Sequence, residues 1–164
     1  VFADPVWARY DLGQIGTAET RRALLAGYRG AEREILDRYL AEWTEHYRPM
    51  EGMEPLLRRL KGEGYRLYLL SDFPEVFPRM LEKFPFLKEF DGRMISCEVG
   101  MSKRQGAAIF HHLLKTFGLR PEECFYADDL PVNIVSARAA GMKGYIFQSA
   151  EGYREALEKA RRSE

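Results

Sequence analysis

The 164-residue chain has few of the features that mark specialised protein classes. It has two cysteines and three histidines, and its 25 basic residues balance 25 acidic ones. Balanced charge without a basic block disfavours nucleic acid and charged membrane surfaces as partners. No apolar run approaches the roughly 20 residues that a membrane span needs. The sequence therefore predicts a soluble protein that binds neither nucleic acid nor membrane.

The small numbers of cysteines and histidines disfavour two further features, a disulfide and a histidine metal site. Cys97 and Cys124 both lie in apolar, strand-like runs, where buried reduced thiols are favoured over a disulfide. This usage fits a cytoplasmic protein. His111 and His112 are neighbours on one predicted helix and cannot face the same ligand, and His46 is isolated. A histidine metal site is therefore disfavoured.

The hydrophobic periodicity divides the chain near Pro49. With 46% hydrophobic residues, a chain of this length can bury one ordinary core and a small appended module. Apolar residues over positions 17–47 recur at helical spacing and predict two or more helices, with Thr17 as the candidate N-cap. The predicted domains are a helical module over residues 1–48 and a core over residues 49–164.

Beyond residue 52 the pattern alternates between helical and strand-like. The predicted helices cover residues 53–61, 75–83, 105–117, 132–140 and 152–161. The predicted strands cover residues 65–70, 94–97, 124–127 and 144–147. Such alternation predicts right-handed crossovers and an α/β fold with a doubly wound parallel sheet.

Polar side chains follow three of these strands. Ser71 and Asp72 follow the first, Lys103 lies past the second, and Asp128 and Asp129 end the third. Ligand sites in open parallel sheets form outside the carboxyl ends of the strands. A hydroxyl, an ammonium and carboxylates at one edge predict a phosphate site. Taken singly, Ser71 also fits a turn or cap residue and Lys103 a solvated charge.

Asp128 and Asp129 are adjacent carboxylates at the end of an apolar run. At roughly 4 Å and an effective dielectric near 20 their repulsion is about 4 kcal/mol, so a cation or a shared proton is expected between them. A hard divalent ion such as Mg²⁺ is the natural candidate. The alternative is that one aspartate caps the helix entered at Pro131.

Three segments resemble motifs of the haloacid dehalogenase (HAD) superfamily, within a match over about residues 52–148. Residues 69–72 resemble the strand that ends in a phosphoryl-binding Ser or Thr. Residues 96–103 resemble the segment that carries the family's lysine. Residues 125–129, together with Asn133, resemble its acidic metal motif, which is the most specific of the three.

The resemblance implies a Rossmann-like core with a small helical cap formed by residues 1–48. It implies that Asp129 is the principal Mg²⁺ ligand. Asp128 would be either a second ligand or a residue that contacts the ligands of the ion. Ser71 and Lys103 would be the catalytic groups that orient and neutralise the phosphoryl oxygens. The residues implied to bind substrate are Ser71, Asp72, Lys103 and Asn133.

Asp72 and Arg104 depart from the pattern of the family. Members usually carry Asn after the motif serine and Pro after the motif lysine. An extra negative charge beside a phosphate is unfavourable. Asp72 is therefore expected to turn away, to pair with a cation such as Arg104, or to narrow the choice of ligands.

The nucleophilic aspartate of the family has no counterpart in the sequence. It would end a first strand upstream of the cap, whereas the early acids Asp4 and Asp11 follow no apolar strand. That strand would also be the central strand of the sheet, between the strand that ends at Ser71 and the one that ends at Asp128. The sequence is therefore expected to begin downstream of a first strand.

The expected function is Mg²⁺-dependent hydrolysis of a small phosphorylated metabolite through an aspartyl-phosphate. One alternative is a noncatalytic HAD-like binding or scaffold protein without the nucleophile. Another is a metal-independent dehalogenase, although paired acids favour phosphate over halide. The identity of the substrate, the pocket-lining residues of the cap and the oligomeric state stay open.

Overall fold

The computed structural model describes residues 1–162 and confirms an α/β protein with parallel strands. The helices are α1 Pro5–Asp11, α2 Thr17–Leu25, α3 Gly30–Glu42, α4 Met53–Gly62, α5 Phe77–Lys83, α6 Ser96–Val99, α7 Ala108–Phe117, α8 Pro131–Ala139 and α9 Ala150–Arg162. Short 3₁₀ turns cover Trp43–His46, Pro85–Glu89, Lys103–Gln105 and Pro121–Glu123. The strands are β1 Tyr68–Ser71, β2 Gly92–Ile95, β3 Phe125–Asp128 and β4 Lys143–Ile146.

The chain forms two compact units. Unit 1 comprises residues 1–48, 71–89 and 94–100, and unit 2 comprises residues 49–70, 90–93 and 101–164. The division falls inside β1 and β2. The separation of a cap over residues 1–48 from a core over residues 49–164 stays a prediction. Over the described part of the chain, no helix combines the length and apolarity that crossing a membrane requires.

In unit 1, the side chains of Asp4 and Glu75 accept backbone hydrogen bonds at the starts of α1 and α2. The side chain of Asp4 accepts a hydrogen bond from Val6 N at 2.8 Å, and Pro5 occupies the first position of α1. The proposed N-cap role of Thr17 is wrong, because Gly16 is the N-cap of α2. Thr17 N donates instead to Glu75 Oε1 at 2.7 Å. A side chain distant in sequence therefore accepts the hydrogen bond that an N-cap side chain would otherwise accept.

Aromatic side chains form the core of unit 1. Trp7 and Trp43 are 3% and 7% exposed, and their rings meet edge to face with centroids 5.1 Å apart. Phe73, which follows β1, contacts Trp43 with centroids 5.3 Å apart. Each such pair contributes about 0.5–1.5 kcal/mol beyond the burial of its apolar area. These contacts hold the helical segment against the residues that follow β1.

Ser96 links three segments of unit 1 through a fully buried hydroxyl. Its Oγ donates to Asp11 O at 2.5 Å and accepts a hydrogen bond from Phe73 N at 2.9 Å. The predicted strand over residues 94–97 is therefore wrong at its end. The strand stops at Ile95, and α6 begins at Ser96 and closes on Gly100 with φ 65°. So short a helix leaves no periodicity to detect.

In unit 2, helices pack on both members of the β3–β4 ladder and on each other. Leu56 and Leu60 of α4 form a buried cluster with Leu157 of α9. Helix α8 lies so close to β4 that a Cβ on Gly144 would stand 2.7 Å from Ile134 Cγ2. A residue larger than glycine would force these two elements apart.

The strands form two separate pairs within residues 1–162, one of β1 with β2 and one of β3 with β4. β3 and β4 run parallel, with Phe125 opposite Lys143 and Asp128 opposite Ile146. The predicted single sheet is thus interrupted between β1 and β3. Two cavities of about 280 and 260 Å³ lie in unit 2. Residues of β1 and of β3 line each cavity.

Candidate functional site

The carboxylate of Asp128, at the end of β3, is the centre of a dense polar cluster in unit 2. It is only 8% exposed and accepts four hydrogen bonds. Lys103 Nζ and Tyr126 OH both donate to Oδ2, each at 2.7 Å. Leu130 N and Asn133 Nδ2 donate to Oδ1 at 2.9 and 2.8 Å. Every donor is close to the ideal distance.

The local structure explains why these groups converge. Side chains two apart on a strand share a face, so Tyr126 and Asp128 point to the same side of β3. The chain then turns into α8, which Pro131 opens, and the first turn of that helix carries Asn133. The turn that begins at Lys103 is fixed by a reciprocal pair of side-chain hydrogen bonds between Ser102 and Gln105.

The pKa of Asp128 reflects two opposing effects. Burial disfavours the charged carboxylate and raises its pKa. The hydrogen bonds from Lys103 and Tyr126, with the positive charge of Lys103, act in the other direction and outweigh it. The net pKa lies below the ordinary value of 3.8. Asp128 is therefore an ionised, buried carboxylate at neutral pH.

Asp129 differs from its neighbour although both are aspartates. Its side chain is exposed, and within residues 1–162 it has no hydrogen-bond or ion-pair partner. One carboxylate of the pair is thus held in place by protein donors, whereas the other faces solvent. The expected repulsion between the two is offset by Lys103, which pairs with Asp128 at 2.7 Å.

The acid pair offers oxygen ligands of the kind that Mg²⁺ prefers. In the described part of the chain, no three His, Cys, Asp or Glu side chains are grouped as in an all-protein metal site. Mg²⁺ usually keeps several waters and uses only one or two protein carboxylates with substrate phosphate, so the pair fits this ion. A carboxylate has about four lone-pair positions, and Asp128 already accepts four donors. A cation at Asp128 would therefore replace one of them.

The structure brings together three of the predicted site residues, Lys103, Asp128 and Asn133. Ser71 is the last residue of β1 and is half-buried, as is Asp72 after it, and both belong to unit 1. Sequence reasoning missed Tyr126, whose hydroxyl is a direct partner of Asp128. Its position two residues before Asp128 on a strand was the available signal.

The structure agrees in part with the alternative in which an aspartate caps the helix entered at Pro131. Leu130, not an aspartate, occupies the N-cap position of α8. Asp128 nevertheless accepts the hydrogen bond of Leu130 N at the entrance of that helix. Capping requires only that an oxygen accept a backbone N–H, so it does not account for the buried lysine that pairs with Asp128. The Lys103–Asp128 ion pair distinguishes this site from a simple cap.

The order of these elements, with a lysine turn before the strand that carries the acid pair, matches a known family. The sequence model of the haloacid dehalogenase-like hydrolases matches residues 6–141. The chain belongs to this family. The HAD match therefore includes most of the helical segment as well as the alternating part of the chain.

The sequences of two relatives with assigned activities align with most of this chain. A sesquiterpene phosphatase of Aspergillus oryzae is 30% identical over 141 residues, which are 84% of this chain and 70% of that protein. A flavin mononucleotide hydrolase of Arabidopsis thaliana is 23% identical over 146 residues, 89% of this chain. The chain spans 58% of the length of that second protein.

Solved structures show the same fold. A HAD family enzyme of Bacteroides thetaiotaomicron, in complex with magnesium and inorganic phosphate, superposes with a TM-score of 0.68 at 24% identity. The match covers 89% of this chain and 76% of that one. A predicted HAD-like hydrolase of Porphyromonas gingivalis gives a TM-score of 0.69 at 21% identity, over 98% of this chain and 82% of its own.

Proposed function

We propose that this protein is a Mg²⁺-dependent phosphohydrolase that acts on a small phosphorylated metabolite. The observation that carries the proposal is the buried ion pair of Lys103 and Asp128, with side-chain exposures of 13% and 6%. Burying two charges is costly, and the pair gives unit 2 a buried lysine beside the aspartate pair, which is the combination of charges that a phosphate with Mg²⁺ needs. The phosphatase and hydrolase names of the relatives agree with a phosphate ester as substrate.

The residues of unit 2 take distinct roles in this proposal. Lys103 supplies a positive charge that neutralises the phosphoryl oxygens, because an ammonium in a site sheltered from water acts more strongly than in solution. Asn133 and Tyr126 hold the carboxylate of Asp128 in one orientation. Asp128 and Asp129 would hold Mg²⁺, which when bound offsets negative charge on the phosphoryl group.

The chemical step that we propose uses an aspartate as its nucleophile. A carboxylate oxygen of an aspartate attacks phosphorus, and the ester oxygen leaves and takes up a proton. A water then attacks the resulting acyl phosphate, so that inorganic phosphate is released and the carboxylate is regenerated. The roles of Ser71 as a phosphoryl donor and of Asp72 in substrate binding stay predictions, as does a cytoplasmic location.

The proposal is tested on the natural polypeptide that contains these residues. Hydrolysis of a panel of sugar phosphates, nucleotides and prenyl phosphates is measured with Mg²⁺ and with excess EDTA. We expect release of phosphate that EDTA abolishes. Release of halide from 2-haloacids at equal rates with and without EDTA would assign the protein to the dehalogenases. A polypeptide that binds phosphate esters but turns none over would be a noncatalytic binding protein.

A further inference from the structure

Two side chains of unit 2 donate to the same carboxylate oxygen of Asp128. Lys103 Nζ and Tyr126 OH each lie 2.7 Å from Oδ2. The other oxygen, Oδ1, accepts hydrogen bonds from Leu130 N and Asn133 Nδ2. These donors fill the lone-pair positions of the carboxylate, of which there are about four. Binding of a cation to Asp128 therefore requires that one donor leave, and the structure indicates which one.

The two donors to Oδ1 are held by the start of α8. Leu130 N is a backbone group, so its displacement would move the main chain at the entrance of the helix. Asn133 lies in the first turn and is only 4% exposed, so its amide would lose a partner away from water. An unsatisfied buried donor is costly. The donor that leaves is therefore one of the two on Oδ2.

Tyr126 is the rigid and uncharged donor to Oδ2. Its ring meets the fully buried ring of Phe110 edge to face, with centroids 5.0 Å apart and an interplanar angle of 88°. This contact fixes the direction of the ring and therefore of its hydroxyl group. A neutral hydroxyl does not repel a cation on the same carboxylate. Tyr126 can thus keep its hydrogen bond to Asp128 when a cation binds.

Lys103 differs from Tyr126 in charge and in freedom of movement. Its ammonium is carried by a flexible four-carbon stem in the turn Lys103–Gln105, and its positive charge opposes a second cation at Asp128. The side chains of Lys103 and Asp128 are only 13% and 6% exposed, so water compensates neither charge well. An ammonium that leaves Asp128 therefore needs another anion, and phosphoryl oxygens accept its N–H donors.

We propose that Lys103 is an exchangeable partner of Asp128, which Mg²⁺ replaces, and that Tyr126 is the positioning residue that holds the carboxylate in both states. Without the cation, Lys103 neutralises Asp128. When the cation takes over this role, the ammonium is released to the phosphoryl group of the substrate. The inference rests on the proposed phosphohydrolase function and adds to it a coupling between metal and phosphate.

The coupling follows from the charges. Mg²⁺ alone would leave the ammonium of Lys103 without its anion, and phosphate alone would compete with Asp128 for that ammonium. Each ligand removes the unfavourable charge that the other faces. Mg²⁺ and phosphate should therefore each increase the affinity of the protein for the other by the same factor, which is the reciprocity that linkage requires.

Calorimetric titration of the natural polypeptide with Mg²⁺, in the absence and presence of saturating inorganic phosphate, measures this factor. We expect phosphate to lower the Kd for Mg²⁺ at least tenfold, within the usual range of coupling between two sites. The reverse titration, phosphate with and without Mg²⁺, should give the same ratio. A Kd for Mg²⁺ that changes less than twofold would overturn the proposal.

Two variants that each remove one donor to Oδ2 should change Mg²⁺ affinity in opposite directions. Without phosphate, Lys103→Met should bind Mg²⁺ about tenfold more tightly, because the competing ammonium is gone and Asp128 lacks a counter-charge. Tyr126→Phe should bind Mg²⁺ about fivefold more weakly, since one hydrogen bond that orients the carboxylate is lost. Purely structural roles would weaken Mg²⁺ binding in both variants, and that result would contradict the proposal.

The same pair of variants separates the coupling from the affinity. Lys103→Met should lose the effect of phosphate on the Kd for Mg²⁺, whereas Tyr126→Phe should retain most of it. Tyr145→Phe is the matched control, because this β4 tyrosine packs on the rings of Phe125 and Tyr153. We expect its Kd for Mg²⁺ to stay within twofold of the original value. Circular dichroism verifies that each variant is folded.

NMR of the unsubstituted protein observes the exchange without any variant. The protein is labelled with ¹³C at the lysine Cε atoms, and the signal of Lys103 is followed during titration with Mg²⁺. We expect this signal to shift as the ion binds and to shift again on addition of inorganic phosphate. A Lys103 signal that stays unchanged while calorimetry shows Mg²⁺ binding would mean that the ammonium remains in place, and the proposal would be wrong.

Failure of this proposal and failure of the proposed function give different results. EDTA-sensitive hydrolysis together with an unchanged Lys103 signal would retain the phosphohydrolase and exclude the exchange. A protein that binds no Mg²⁺ and hydrolyses no phosphate ester would exclude both.

Discussion

The two units bury polar groups of different kinds. In unit 1, the buried hydroxyl of Ser96 is neutral and connects backbone atoms of Asp11 and Phe73. In unit 2, the buried carboxylate of Asp128 is charged, and three of its four donors are side chains. A neutral hydroxyl bonded to backbone stabilises a particular chain path. A buried charge pair contributes little net stability, because the desolvation of its two charges offsets their attraction, and this agrees with the chemical role proposed for it.

The difference between Ser96 and Asp128 predicts that substitutions in the two units separate stability from activity. Substitutions of Asp128 and Lys103 should lower the activity more than the stability, although removal of Lys103 also lowers the stability because it leaves a buried charge. Substitution of Ser96 should lower the stability more than the activity. The predictions below run from the largest expected effect to the smallest.

Asp128→Asn should lower kcat/KM for phosphate esters on the order of 10³-fold in the natural polypeptide, since the variant loses the charge that would hold a cation. The amide keeps the size of the side chain and one acceptor oxygen. Asp129→Asn is the matched comparison, and we expect a loss of about tenfold because its side chain is exposed. A larger loss at Asp129 would instead support the ligand order implied by the HAD resemblance.

Lys103→Met should lower kcat/KM about 100-fold and also destabilise the fold. The methionine keeps the apolar stem but leaves Asp128 as a buried charge without its ionic partner, which costs about 3–5 kcal/mol. Urea unfolding measures this loss. The double variant Lys103→Met with Asp128→Asn should regain most of the stability and none of the activity. If activity returns with stability, the ion pair is structural.

Ser96→Ala should reduce the free energy of unfolding by about 1–3 kcal/mol, because Phe73 N and Asp11 O lose their buried partner. kcat/KM of the folded fraction should stay within about threefold of the original value. Thermal unfolding and initial rates on the same sample provide both numbers. A drop of 100-fold in the rate without loss of stability would assign Ser96 to the reaction.

Tyr126→Phe should cost about 1 kcal/mol of stability, since one of four hydrogen bonds to Asp128 is removed while the ring keeps its edge-to-face contact with Phe110 at 5.0 Å. The pKa of Asp128 should rise toward its ordinary value, which carboxyl NMR titration can follow. Tyr68→Phe is a control on another strand. An unchanged titration of Asp128 would show that the hydroxyl contributes nothing.

The pH dependence of unfolding tests the charge of Asp128. Its folded pKa lies below the unfolded value near 3.8, so its contribution is complete above that pH and disappears as the pH falls toward the folded pKa. The difference in stability between the original chain and Asp128→Asn should therefore be constant between pH 5 and 7 and shrink below about pH 4. A difference that grows on acidification would mean that Asp128 is neutral in the folded state.

The sequence predicts the long helices and the strands β3 and β4 closely, and it misplaces the short strand β2. The helix predicted over residues 132–140 lies at Pro131–Ala139, because its start and its glycine end are both visible in the sequence. The strand predicted over residues 94–97 was shifted by two residues, since Ser96 turns at once into a one-turn helix. Periodicity needs more residues than such an element contains.

The candidate site was predictable to a similar extent. Lys103, Asp128 and Asn133 converge because motif spacing and the strand–helix order bring them to one strand end. The different environments of Asp128 and Asp129 were not predictable, as adjacent residues of the same type cannot be ranked without knowing which one turns inward. Tyr126 was passed over because a tyrosine inside an apolar run fits core packing equally well.

Binding of inorganic phosphate tests the central claim most directly, that the Lys103–Asp128 pair belongs to a phosphate site. Calorimetric titration of the natural polypeptide in the presence of Mg²⁺ should show one phosphate bound per chain. Affinity should fall at least tenfold in Lys103→Met and when EDTA replaces Mg²⁺, and it should persist in Ser96→Ala. Equal affinity in the original protein and in Lys103→Met would contradict the account.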